Sequence, residues 1–152
     1  MTIGDWPFSG RGSSCHPLPC RYNRPSDKER DVNYFSRYFD RLGDRLITAD
    51  AGTLERASRM MAGVTKRGGK VIVAGNGGSA AMASHVTVDL TKCVGVRAVN
   101  FNEADLLTCF ANDYGYERWV EKALGFYADK TDVVVLISSS GKSMNMVNGA
   151  RK

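Results

Sequence analysis

The chain has 152 residues, with 21 Lys and Arg against 16 Asp and Glu, a formal net charge of +5, and 43% hydrophobic residues. This describes one globular domain, too short for two full domains and a tail; no apolar run approaches the roughly 20 residues that cross a bilayer, and no apolar signal core opens the chain. The surplus charge is spread thinly, +2 over residues 1–30 and +3 over 31–152, without a dense basic run or a basic stripe interleaved with aromatics, which argues against a nucleic-acid partner.

Residues 1–30 hold all four prolines together with Gly4, Gly10 and Gly12, show neither helical nor strand period, and read as a flexible extension. Cys15, His16 and Cys20 cluster there, but CHPLPC is not a zinc spacing and lacks a fourth ligand. The four cysteines form no CxxC pair and are too scattered for a disulfide scaffold, so reduced thiols and a cytoplasmic location are expected. Phe35, Tyr38, Phe39, Leu42, Leu46 and Ile47 then recur with helical spacing, and Leu54, Ala57, Met61 and Val64 mark a second helix, ended by Gly68 and Gly69. The two read as a packing pair, with the apolar stripe in a core or an oligomer interface.

Three β-branched runs follow, at Val71 to Ala74, Val96 to Phe101 and Val133 to Ile137. Helices fit between them at Ser79 to Leu90, Glu103 to Ala111 and Tyr116 to Tyr127. Continuously apolar strands alternating with helices predict an α/β fold with a parallel sheet. Cys93 and Cys109 read as small buried residues, Trp119 and Tyr127 as helical core, and Lys142 as a solvated loop lysine or a phosphate contact.

Ligands of such sheets sit beyond the carboxyl ends of the strands. Two loops there suit an anion. Gly75-Asn76-Gly77-Gly78-Ser79-Ala80 lets backbone N–H groups approach a ligand in front of a helix N-terminus, and Ser138-Ser139-Ser140-Gly141-Lys142-Ser143 surrounds a glycine with hydroxyls and amides. The first also fits the loose dinucleotide pattern GxGxxA, yet the second strand ends in Asn100, Phe101 and Asn102, where an acidic residue would meet a ribose. The second imitates the end of a Walker A loop, but the first glycine of that motif falls on Leu136. An ordinary strand-to-helix turn competes with the binding reading for either loop. His85 and Asp89, four apart on the helix after the first loop, share one face. A carboxylate there can shuttle a proton beside a carbonyl while an imidazole or a zinc ion stabilises the oxyanion, or the pair is simply part of a solvated face.

Gly75 to Ser79, His85, Asn112-Asp113 before Tyr114-Gly115-Tyr116-Glu117, and Ser138 to Ser143 together resemble the sugar isomerase (SIS) domain family, and within it the phosphoheptose isomerases, from about Tyr34 onward. The resemblance implies a three-layer, flavodoxin-like parallel sheet with N-terminal helices, assembled as a homotetramer with active sites between subunits. It implies aldose–ketose isomerisation of sedoheptulose 7-phosphate in the heptose biosynthesis that serves lipopolysaccharide or capsule. By position, Asn76, Gly77, Gly78, Ser79, Asn112 and Asp113 would line the sugar, and Ser138, Ser139, Ser140 and Ser143 would hold the phosphate. His85 would be a zinc ligand, and Asp89 both ligand and base; the family usually has Glu there, one methylene longer.

Members continue past the serine loop into further strands, with a Gln and a second His of the site, so residues 31–152 are expected to be a C-terminally truncated SIS domain. Three strands then stand where five belong, with Val133 to Ile137 left at an edge. A non-catalytic SIS module that binds a sugar phosphate or a protein partner is the alternative, and a dinucleotide-binding domain the third reading.

Overall fold

In a computed structural model, the structure describes residues 34–152; residues 1–30, with Cys15, His16 and Cys20, lie outside the described residues. The chain divides into two units between Ala49 and Asp50. The first contributes helix α1 (Tyr34–Ile47), on which Tyr38 and Phe39 meet edge to face.

The second unit opens with α2 (Ala51–Val64), capped by Asp50, whose carboxylate accepts from the Gly52 N–H at 2.9 Å and from the Thr53 hydroxyl. These bonds, Thr53 foremost, hold the Asp50 carboxyl below its ordinary range. A short turn at Thr65–Arg67 ends at Gly68, whose φ of 72° reverses the chain into β1 (Val71–Gly75). There follow α3 (Gly78–Lys92), β2 (Ala98–Asn100), α4 (Ala104–Tyr114), α5 (Trp119–Tyr127), β3 (Val133–Ile137) and α6 (Met144–Arg151).

The strands pair in parallel in the order β2-β1-β3, with Val71 opposite both Ala98 and Val133, and Gly75 opposite Ile137. All five residues of β1 are buried, as a continuous apolar run requires of a central parallel strand. Successive side chains alternate between faces. Ile72 and Ala74 join Phe101, Trp119, Val120, Leu124 and Met146 in one core, while Val71 and Val73 join Val64, Ala83 and Val96 in the other. Helices α5 and α6 thus cover one face and α2 and α3 the other, the three layers of an α/β fold. Gly149 brings α6 against α5: a Cβ there would stand 2.7 Å from Val120 Cγ1.

Several details differ from the expected pattern. The second strand is only three residues long, because the Val96 N–H turns back to the Leu90 carbonyl instead of extending the ladder. Cys93 and Cys109 are exposed free thiols, not buried ones: Cys93 follows the last turn of α3, and Cys109 shares a face of α4 with Asp113. The Asp113 charge pushes the Cys109 thiol up from its ordinary value, which makes it a poor nucleophile. Trp119 is fully buried, whereas Tyr127 is half exposed and packs its ring against Phe101. Strand β3 lies at an edge of the described sheet and is only partly buried.

At the amino ends of the strands, Asp132 ties β1 to β3. Its buried carboxylate accepts from Lys70 N at 2.8 Å, Lys70 Nζ at 2.7 Å and Asp129 N at 2.8 Å. Burial pushes the Asp132 pKa up, but the Asp129 N–H and the ammonium and N–H of Lys70 together outweigh it and leave it below 3.8. The unfolded chain therefore takes up this proton first; the carboxylate's contribution is complete above the ordinary value and is lost as pH falls through the lowered folded value. Asp132→Asn is expected to be less stable than the parent at neutral pH and to lose stability less steeply between about pH 5 and 2. Urea titrations across that range check this, and parallel profiles for the two proteins contradict it.

Candidate functional site

Because Gly75 and Ile137 are paired, the loops that follow β1 and β3 leave the sheet side by side at its carboxyl end. Each then enters a helix, α3 or α6, so two helix N-termini, with the positive ends of their dipoles, lie on this end of the sheet.

The glycine loop is shaped by two different demands. At Gly75 a Cβ would lie 2.6 Å from the backbone carbon and oxygen of Ser79, so the chain can fold back over the strand end only without a side chain. At Gly77 there is room, but φ 53° and ψ −120° exclude other residues. Ser79, Ala80 and Ala81 spend their N–H groups inside the turn, on the carbonyls of Asn76 and Gly77. The N–H groups of Gly77 and Gly78 have no such partner, and both residues are exposed. The outward-facing donors expected across the whole loop are thus concentrated at these two residues. Asn102 braces the loop from the end of β2, donating to the Ala80 carbonyl and the Ser84 hydroxyl, each at 2.7 Å.

In the serine loop the Gly141 N–H closes a turn onto the Ser138 carbonyl at 3.2 Å, and Gly141 takes the left-handed φ of 65°. Ser143 precedes α6 in the cap position, yet its hydroxyl makes no capping bond and instead meets the Ser138 hydroxyl at 3.2 Å. The Ser140 hydroxyl accepts from the Lys142 N–H, and Ser139 and Ser140 are exposed. The Ser138 and Ser143 hydroxyls thus meet at the uncapped start of α6, with Ser139, Ser140 and Lys142 in the exposed part of the loop.

His85 and Asp89 do form a pair on α3, with Nε2 and Oδ2 3.5 Å apart, and their side chains are 81% and 54% exposed. They are two donors, and no group of three His, Cys, Asp or Glu side chains that could hold a metal occurs among the described residues. Zinc takes three or four protein ligands, so these residues alone do not fit it. Asn112 and Asp113 end α4 on its exposed side, where the Asn112 amide donates to Asp113 Oδ1 at 2.9 Å.

Two further residues join the loops. Asn76 and Asn145 exchange amide hydrogen bonds of 2.9 and 2.8 Å, and the Tyr116 hydroxyl donates to Asn76 Oδ1 at 3.1 Å. Neither Asn145 nor Tyr116 had a role assigned from sequence. A lone Asn two residues into a helix carries no periodic signal; its unusual place for an interior-facing amide was the only available hint.

The chain is thus a parallel α/β protein with a glycine loop and a serine loop side by side at the carboxyl end of its sheet, and the family model described as the SIS domain matches residues 34–152. The chain belongs to the SIS domain family. It is similar to the phosphoheptose isomerase of Aliarcobacter butzleri (strain RM4018), 36% identical over 104 residues that make up 64% of this chain and 55% of that protein. It is also similar to the probable phosphoheptose isomerase of Thermoplasma volcanium, 36% identical over 137 residues, 83% of this chain and 69% of that one. The structure of phosphoheptose isomerase GmhA from Neisseria gonorrhoeae superposes with a TM-score of 0.72 at 29% identity, covering 82% of this chain and 67% of that one. The chain spans just over half the length of the first of these relatives.

The two glycines give a direct check on the loop. Gly75→Ala is expected to cost about 1–3 kcal/mol through overpacking against Ser79, and Gly77→Ala about 1–3 kcal/mol through backbone strain. Urea midpoints read both, and a midpoint unchanged in either variant refutes the corresponding account.

Proposed function

We propose that the chain is a sugar-phosphate isomerase, interconverting sedoheptulose 7-phosphate and a heptose 7-phosphate in the supply of surface heptose, and that it works in the cytoplasm as a homotetramer. The observation that carries this reading is the pairing of the loops: free N–H groups at Gly77 and Gly78 beside the hydroxyls of Ser138, Ser139, Ser140 and Ser143, on adjacent parallel strands. A phosphate monoester suits the serine loop, where hydroxyls, amides and the α6 N-terminus can share its charge. The rest of the sugar then extends toward the glycine loop, with Ser79, Asn112 and Asp113 as further contacts.

The chemistry falls to Asp89 and His85. The carboxylate removes a proton from carbon 1 of the ketose, leaving an enediolate, and returns it to carbon 2, while the hydroxyl proton passes from oxygen 1 to oxygen 2. His85, whose Nε2 lies 3.5 Å from Asp89 Oδ2, takes the second role in this reading, stabilising the oxyanion or carrying that second proton. A zinc ion on this pair would require donors from outside the described residues. The relatives named above act as phosphoheptose isomerases by their names, and no helix among the described residues is long and apolar enough to cross a membrane.

A second reading is a non-catalytic SIS module that binds a sugar phosphate or a protein partner. It is favoured by the exposure of His85 and Asp89, since charge developing on a substrate there would face water rather than fixed dipoles.

Millimolar sedoheptulose 7-phosphate is expected to raise the melting temperature of the chain; saturation at 100 times Kd corresponds to about 2.7 kcal/mol. Ser140→Ala should remove most of that protection, and melting unchanged by ligand in the parent sinks the binding reading. In an aldose–ketose assay, Asp89→Asn should lower turnover by about 100-fold or more while leaving thermal protection in place. Protection without turnover in the parent supports the non-catalytic module.

A further inference from the structure

Asn145 is the buried polar residue among those described, 2% exposed, and its chain neighbour Met146 packs in one core with Trp119 and Leu124. Burying an amide is unfavourable unless its donors and acceptors are matched, and an apolar side chain of the same size would pack there with no such demand. What the amide adds is direction. Apolar contacts tolerate sliding, whereas a reciprocal amide pair holds two segments at one separation and one angle.

The segments held here are the two binding loops. Asn76 lies 69 residues before Asn145, at the head of the glycine loop, while Asn145 follows the serine loop by two residues. Asn76 Oδ1 accepts from both Asn145 Nδ2 and the Tyr116 hydroxyl, which occupies its two lone pairs, and one N–H of Asn76 Nδ2 goes to Asn145 Oδ1. That leaves Asn76 a single side-chain donor for a ligand. Its amide is chiefly a fastening point, and the ligand-facing donors are the adjacent N–H groups of Gly77 and Gly78.

We propose that Asn145 is a positioning residue, which through Asn76 sets the separation of the glycine and serine loops, with Tyr116 holding the Asn76 amide in the required orientation. The consequence for binding rests on the sugar-phosphate reading above. A ligand that touches both loops senses their separation, whereas inorganic phosphate senses the serine loop alone.

Three variants of the full chain test this. Asn145→Leu is near-isosteric, neutral and suited to a buried site, so the fold is expected to persist. It should weaken sedoheptulose 7-phosphate by about 10-fold or more, the scale expected for a misplaced contact surface, while inorganic phosphate stays within about twofold. Amide exchange should quicken at Ser79, Ala80 and Ala81, whose N–H groups close the glycine turn, and remain unchanged in residues 71–74. Tyr116→Phe removes one exposed bond without touching the core and should weaken the sugar phosphate by about threefold. Asn145→Gln keeps the amide but lengthens it, and should fall between the parent and Asn145→Leu.

Asn145→Leu that binds both ligands like the parent, with loop exchange unchanged, overturns the proposal. So does a parallel loss of both ligands with faster exchange throughout β1, since that is a folding effect. Should Asn145→Leu not fold, Tyr116→Phe decides by the same two ligands, and equal affinity for both in the variant and the parent overturns the proposal. If the parent binds neither ligand, the sugar-phosphate reading falls, and loop exchange in the variants still decides whether Asn145 sets the loops.

Discussion

Strand β1 is the member on which the rest of the second unit depends. Flanked by a parallel partner on each edge and covered by helices on each face, it has no residue that reaches water. Its alternating side chains divide between two cores, so displacing the strand would disturb both. This enclosure has a functional corollary. The residue directly after a fully fixed strand is itself fixed, and the glycine loop inherits its position from the most constrained element of the fold. Gly75 shows how close the fit is, since the first turn of α3 sits where its side chain would be.

The opposite end of the sheet is held by charge and the site end by neutral groups. At the amino ends, Lys70 and Asp132 join adjacent strands through a buried carboxylate with three donors, and Arg97 donates to the Gly68 and Gly69 carbonyls in the turn that enters β1. At the carboxyl ends, the fastening is an amide pair and a tyrosine hydroxyl. The division is physically sensible. A charged clamp beside an anion site would either compete for the ligand or repel it, whereas an uncharged amide pair does neither and leaves the field of the helix N-termini undisturbed.

What could be read from the amino acids alone follows the same physics. Val71 to Ala74 announced a buried strand because both its faces are apolar, and the glycines after it announced a tight return because few other residues can make one. The serine loop was legible by composition. The short β2 was not, since Val96 and Phe101 are as apolar as strand residues but are buried by packing rather than by ladder pairing. Cys93, Cys109 and Tyr127 were misplaced for a related reason: a residue's average preference for the interior says nothing about which side of its helix is covered. Asn145 was invisible because its importance lies in a partner 69 residues away, and pairwise geometry of that kind is a property of the folded chain.

Binding and turnover therefore place different demands on this chain. The loops need only the sheet and the two helices that follow them, and both are present, with the Gly77 and Gly78 N–H groups left unspent by the turn. The His85–Asp89 pair has a suitable spacing but an open setting, and its side chains keep most of their exposure. Proton transfer through an enediolate gains from a site that excludes water, because the developing charge is then stabilised by fixed dipoles rather than screened. Such exclusion would have to come from a surface laid over this face of α3. Chemistry at α3 would therefore depend on protein surface laid over it, whereas the mutual position of the two loops depends on β1, β3 and the Asn76–Asn145 amide pair.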